Sequence, residues 1–146
     1  MEKPILFSGE MVRAILDGRK TQTRRVIKPQ PMFSNVAVNG MTLERQIAGE
    51  KAWLINHKCP YGKPGDTLWV RETWASHRYM DDTAPSEFTP GAQMLPIFYR
   101  ANYGSALSGD CGKWRPSIHM PRWASRLTLR VVDVRIERVQ EIEPGD

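Results

Sequence analysis

Lys20, Thr21, Thr23, Arg24 and Arg25 lie close together in the run Gly18-Arg19-Lys20-Thr21-Gln22-Thr23-Arg24-Arg25. A lysine amine serves as a general base or as a point charge against phosphate. A threonine hydroxyl donates a hydrogen bond, or attacks as a nucleophile when a base sits beside it. Arginine forks match phosphate oxygens and base edges, which makes Arg19, Arg24 and Arg25 candidate ligand contacts. In an extended segment Lys20, Gln22 and Arg24 point one way and Thr21, Thr23 and Arg25 the other. An edge strand protected by charge would use the same residue types.

Charge makes this run stand out. Residues 13–28 hold Arg13, Arg19, Lys20, Arg24, Arg25 and Lys28 against Asp17 alone, six positive charges to one negative, which equals the +5 of the whole chain. Elsewhere the charges balance, so the basic character is local, as an anion-binding site requires. Arginine outnumbers lysine 14 to 7, which favours forked recognition of an anionic partner.

Two further groups could carry chemistry. In Leu68-Trp69-Val70-Arg71-Glu72-Thr73-Trp74, strand alternation puts Glu72 on one face with Leu68, Val70 and Trp74. A carboxylate there needs a cationic partner or a raised pKa, and Lys20 or a basic neighbour would supply the partner. Such a pair is either catalytic or a structural ion pair. In Trp114-Arg115-Pro116-Ser117-Ile118-His119-Met120-Pro121-Arg122-Trp123, indole and guanidinium planes alternate in a loop. Such planes stack unpaired bases, and they also pin loops to cores. Trp69, Arg71, Trp74, Trp114 and Arg115 are therefore candidate ligand contacts.

Other chemistries find little footing. His57, Cys59, Cys111 and His119 match no zinc spacing, and no metal or cofactor is expected. No phosphate-binding glycine loop and no Ser-His-Asp signature is present. No apolar run is long enough to span a membrane and no signal peptide is visible, so a cytoplasmic protein with free thiols is expected.

The elements that must hold these residues are short. A strand over 3–7 leads to a helix over 9–17, capped by Ser8, with Phe7 and Val12 at the staple positions and Gly18 as its stop. Asn39-Gly40 predicts a hairpin, and Trp53-Leu54-Ile55 a strand. Pro64-Gly65 predicts a type II turn into a strand over 67–74. Further strands are expected over 97–100 and 126–139. In the last, the apolar phase shifts from Leu127, Leu129 and Val131 to Val132, Val134 and Ile136, the mark of a bulge. Insertions are expected near 29–50 and 76–96, the second as a mobile flap. At 146 residues the chain is expected to be one α+β domain built on a small β-barrel of five to six strands with a few flanking helices.

Ile15-Leu16-Asp17-Gly18-Arg19-Lys20-Thr21-Gln22-Thr23-Arg24 resembles the signature of the ASCH domain, a member of the PUA-like superfamily. Gly65-Asp66, Leu68 and Val70 are similar to that family's turn and following strand. Cys59-Pro60-Tyr61-Gly62, Trp69 to Trp74 and Trp114 to Pro121 resemble a group of ASCH-type proteins from bacteriophages and prophages, and this second resemblance covers most of the chain.

The resemblance implies a β-barrel with a basic cleft beside the first helix, RNA binding, and a bacterial cytoplasmic setting. Some ASCH proteins deacetylate N4-acetylcytidine with a lysine, a threonine and a glutamate, and another is a ribonuclease. Carried over by motif, the lysine is Lys20 and the threonine Thr23. The family's glutamate follows the late strand. Here the sequence ends at Glu141-Ile142-Glu143-Pro144-Gly145-Asp146, which reads as a shortened C-terminus and leaves Glu72 as the substitute. The expected function is binding of RNA or a modified nucleoside around residues 18–25. The alternatives are an amidohydrolase using Lys20, Thr23 and Glu72, and a phage protein–protein adaptor using the Trp/Pro-rich loop.

Overall fold

A computed structural model describes residues 1–28, 59–88, 96–103 and 109–137. The expected hairpin at Asn39-Gly40, the strand at 53–55, the 29–50 insertion and residues 138–146 lie outside them.

The first strand, β1 (Glu2–Leu6), runs into helix α1 (Gly9–Leu16). Ser8 starts the helix as predicted, its hydroxyl accepting the Met11 N–H at 3.3 Å, and Glu10 sits in the positive first turn. Val12 is fully buried and packs with Ile5, Phe7, Leu68 and Val70 in a first apolar core. Burying one such valine contributes about 1.5–3 kcal/mol.

The turn before β2 (Thr67–Arg71) follows its sequence. Asp66 N–H bonds to the Lys63 carbonyl at 3.0 Å, and Gly65 takes φ +92°, the value a type II turn demands at its third residue. The Met1 ammonium, 2.7 Å away, and the Lys63 N–H hold the Asp66 carboxyl below its ordinary pKa. Strand β2 lies between β1, to which it is parallel, and β5 (Thr128–Arg130), to which it is antiparallel.

The expected strand over 67–74 is broken in two. It stops at Arg71, and the chain re-enters a strand as β3 (Trp74–Ala75) in a second sheet, paired with β4 (Phe98–Tyr99). The alternation of apolar residues passes through the break because both sheets need a buried face there. A second core forms around Trp74, Phe88, Met120 and Ala124. The strand expected over 97–100 yields after two residues to a short helix, α2 (Arg100–Tyr103). Of the late strand expected over 126–139, the described residues form a strand only at Thr128–Arg130. Leu127, Leu129 and Val131 pack on the first core, whereas Val132 is 83% exposed.

The molecule is thus a small mixed α/β protein. Its described strands form sheets of three and two, and no closed barrel is among them. The Cα trace divides into two compact units, Met1–Thr21 with Tyr61–Asp133, and Gln22–Pro60 with Val134–Asp146.

The flap expected at 76–96 is no free loop in its described part. Arg78 N–H bonds to the Asp110 carbonyl, Gly112 N–H to that of Ser76, and Lys113 N–H to the Asp81 carboxylate at 2.8 Å. Gly112 is required by this stitching. A Cβ there would overlap the Asp81 carboxylate and lie 2.9 Å from the Ser76 carbonyl oxygen. Gly112→Ala is therefore expected to cost about 1–3 kcal/mol, as overpacking does, measured as a lowered urea midpoint at unchanged m.

Candidate nucleic-acid interface

Helix α1 positions the start of the basic run through its C-terminal cap. Asp17 ends the helix and Gly18 turns left-handed at φ +71°. Gly18 N–H then bonds to the Ile15 carbonyl at 3.0 Å and Arg19 N–H to that of Ala14 at 2.8 Å. These are the two bonds of a Schellman cap. Lys20 N–H adds a third, also to the Ala14 carbonyl, at 2.9 Å. The backbone of Arg19 and Lys20 is thereby tied to the rigid helix, with Lys20 half-buried and the Arg19 guanidinium exposed 2.8 Å from Asp17.

From Thr21 to Arg25 the side chains are exposed and no helix or strand forms. The two compact units divide the run, with Lys20 and Thr21 in the first and Thr23, Arg24 and Arg25 in the second.

Glu72 lies in the first unit, where the chain leaves one sheet for the other. It is 1% exposed. Both its oxygens are taken by Arg126, whose Nε donates to Oε1 at 2.8 Å and whose terminal nitrogen donates to Oε2 at 3.0 Å. Arg126 also donates to Asn102 Oδ1 at 2.9 Å and lies 4.1 Å from the centre of the Tyr99 ring. Tyr99 in turn donates its hydroxyl to the Ala124 carbonyl at 2.9 Å. Burial pushes that hydroxyl above its ordinary pKa, against the opposing pull of the Arg126 charge.

Among the described residues the cationic partner of Glu72 is thus Arg126 and not Lys20. A forked ion pair that engages both carboxylate oxygens is a structural fastening before it is a proton-transfer site. The sequence offered one signal for it, namely that a carboxylate on an apolar strand face needs a cation. Which cation depends on the antiparallel pairing of β2 with β5, and that no local pattern reveals.

The aromatic and arginine candidates separate into two groups. Trp74 is fully buried, with its ring edge-on to Phe88 and Trp123 at centroid distances of 6.2 and 6.1 Å. Arg115 donates to the carbonyls of Met80, Asp81 and Thr83 at 2.7, 3.2 and 2.9 Å. These two belong to the second core and to the stitching of residues 76–88, not to a ligand surface. The reason is that Trp74 lies in β3, whose pairing with β4 turns it inward.

Trp69 and Trp114 carry arginines on their rings. Arg71 and Arg122 lie 4.7 and 5.8 Å from the centre of Trp69, and Arg100 lies 5.3 Å from the centre of Trp114. Such stacks orient guanidinium groups that remain able to bind anions. Sequence reading passed over Arg122 as a contact and Arg126 altogether, because each acquires its role from residues far along the chain.

Among the described residues no group of three His, Cys, Asp or Glu side chains is placed to hold a metal ion, and none of the helices is long and apolar enough to cross a membrane. Cys59 and Cys111 are free thiols. Compared with known proteins, the chain matches no family model, no curated protein and no solved structure.

Proposed function

We propose that the chain is an RNA- or nucleoside-binding domain of the ASCH, PUA-like type, with the basic run after α1 as its primary contact. One observation carries the reading. The net positive charge of the whole chain is concentrated in residues 13–28, and a Schellman cap fastens the start of the run to α1. A local cationic surface whose first residues, Arg19 and Lys20, stand on a fixed backbone suits a polyanion, because ordering that start on binding costs little further entropy. The hydrolytic alternative would need a carboxylate free to handle a proton, and Glu72 has both oxygens committed to Arg126.

The test is titration of the protein against fluorescent single-stranded RNA at 50 and 200 mM salt. If three of the cations in the run neutralise phosphates, affinity falls about 20-fold across that range, since each contact on a single strand contributes a slope of about 0.7. Arg24→Gln with Arg25→Gln should flatten the slope by about 1.4. Absence of RNA binding at 50 mM salt rejects the reading. Turnover of N4-acetylcytidine that disappears in Lys20→Ala would replace it with the hydrolytic one.

A further inference from the structure

Register assigns every residue of the three-stranded sheet to a face. Ile5 pairs with Val70 and Leu68 with Leu129 on the side that holds the first core and α1. Alternation then puts Glu2, Pro4 and Leu6 of β1, Thr67, Trp69 and Arg71 of β2, and Thr128 and Arg130 of β5 on the opposite side. Arg122 reaches that side from its 3-10 turn (Arg122–Ala124), pairing with Glu2 at 2.6 Å and covering Trp69. Among the described residues the face thus carries Arg71, Arg122 and Arg130 against Glu2.

We propose that this open face is a second RNA contact, holding backbone phosphates on Arg71, Arg122 and Arg130. Arg71 carries the argument. Its guanidinium is held against the Trp69 ring, its Nε is buried without a hydrogen-bond acceptor, and no acceptor or carboxylate meets its other nitrogens among the described residues. A half-buried arginine without an anion has only its stack on Trp69 to offset the lost solvation, and an anion would supply the acceptor that its buried Nε lacks. Arg130, exposed on the neighbouring strand, likewise has no carboxylate among the described residues.

The ligand group is a phosphate and not a base. Trp69 is only 8% exposed, beneath two guanidinium groups, so a base cannot stack on it while they stay in place. Two cations held on one indole are pre-oriented forks, which bind phosphate oxygens with little loss of side-chain freedom. The identification of the polymer as RNA rests on the proposed function, whereas the anion site rests on the sheet face itself. Because α1 and the start of the basic run lie on the other side of the sheet, the two contacts require a strand long enough to pass around the sheet edge. RNA affinity therefore rises with oligonucleotide length beyond the size one face holds.

Two measurements on the full chain test this. Pyrophosphate is titrated at low salt while the indole N–H resonances are followed, with Trp69 assigned through Trp69→Phe. The Trp69 signal should move saturably while that of buried Trp74 stays in place, and Arg71→Gln should abolish the shift. RNA is then titrated against salt with Arg71→Gln/Arg122→Gln and, as a variant at an exposed site with little bearing on folding, Arg130→Gln. Each arginine removed should lower the salt slope by about 0.7, and Glu2→Gln, which releases Arg122, should tighten binding by up to about fivefold. A wild-type slope in the Arg130→Gln and Arg71→Gln/Arg122→Gln proteins overturns the proposal while leaving the RNA reading in place. A protein that binds pyrophosphate at Trp69 but no RNA keeps the anion site and overturns the RNA assignment. An unmoved Trp69 resonance overturns the anion site itself.

Discussion

Glu72→Ala is expected to lower the free energy of unfolding by about 3–5 kcal/mol, the cost of breaking a buried ion pair from one side. The loss arises less from the missing attraction than from Arg126, which would keep its place over Tyr99 and against Asn102 with no carboxylate to answer its charge. The arginine side chain retains 22% of its exposure, so water can partly compensate, which places the expected value nearer 3 than 5. Urea unfolding followed by circular dichroism would show it as a lower midpoint at unchanged m.

A double replacement by apolar residues, Glu72→Met with Arg126→Met, should recover most of the loss, because neither charge is then left alone in the core. That contrast also separates fastening from catalysis. If Glu72 only positions the strand crossing, the double variant regains stability and binds RNA like the wild type. If it handles a proton in a reaction, stability returns and turnover does not.

The crossing explains why sequence reading succeeded in some places and not in others. Ser8, Gly18 and the Pro64-Gly65 turn were legible because each is a local device whose geometry its own residue types dictate. Leu68 and Val70 were legible through alternation, as were Leu127 and Leu129. The break after Arg71 was not, since the alternating pattern continues into β3 and says nothing about which partner strand each half meets. The sheet register that unites Glu72 with Arg126 spans 54 residues of sequence, and only the fold supplies it. The basic run shows the converse case. Its composition and its helix cap were both readable, but the division of Lys20 from Thr23 between two compact units was not.

The second core gives the second large effect. Trp74→Ala should cost about 3–5 kcal/mol, the range for deleting a buried aromatic side chain. Trp74 has no exposure and stands at the centre of the second core, edge-on to Phe88 and Trp123, with Arg115 5.9 Å from its ring centre. Removing it would leave a cavity and also unseat Arg115, which fastens residues 80–83 through three carbonyls. The two losses share contacts, so Trp74→Ala combined with Arg115→Met should be less destabilising than the separate effects added together. Trp74→Phe is the informative control. It keeps an aromatic plane, fills most of the volume, and discards an indole N–H that has no acceptor among the described residues, so its cost should fall well below that of alanine. RNA affinity in Trp74→Phe should stay within about twofold of wild type, because a ring with no exposed surface is not a stacking platform. A stable Trp74→Phe protein with RNA binding weakened tenfold would mean that the second core opens to the ligand, and Trp74 would return to the interface.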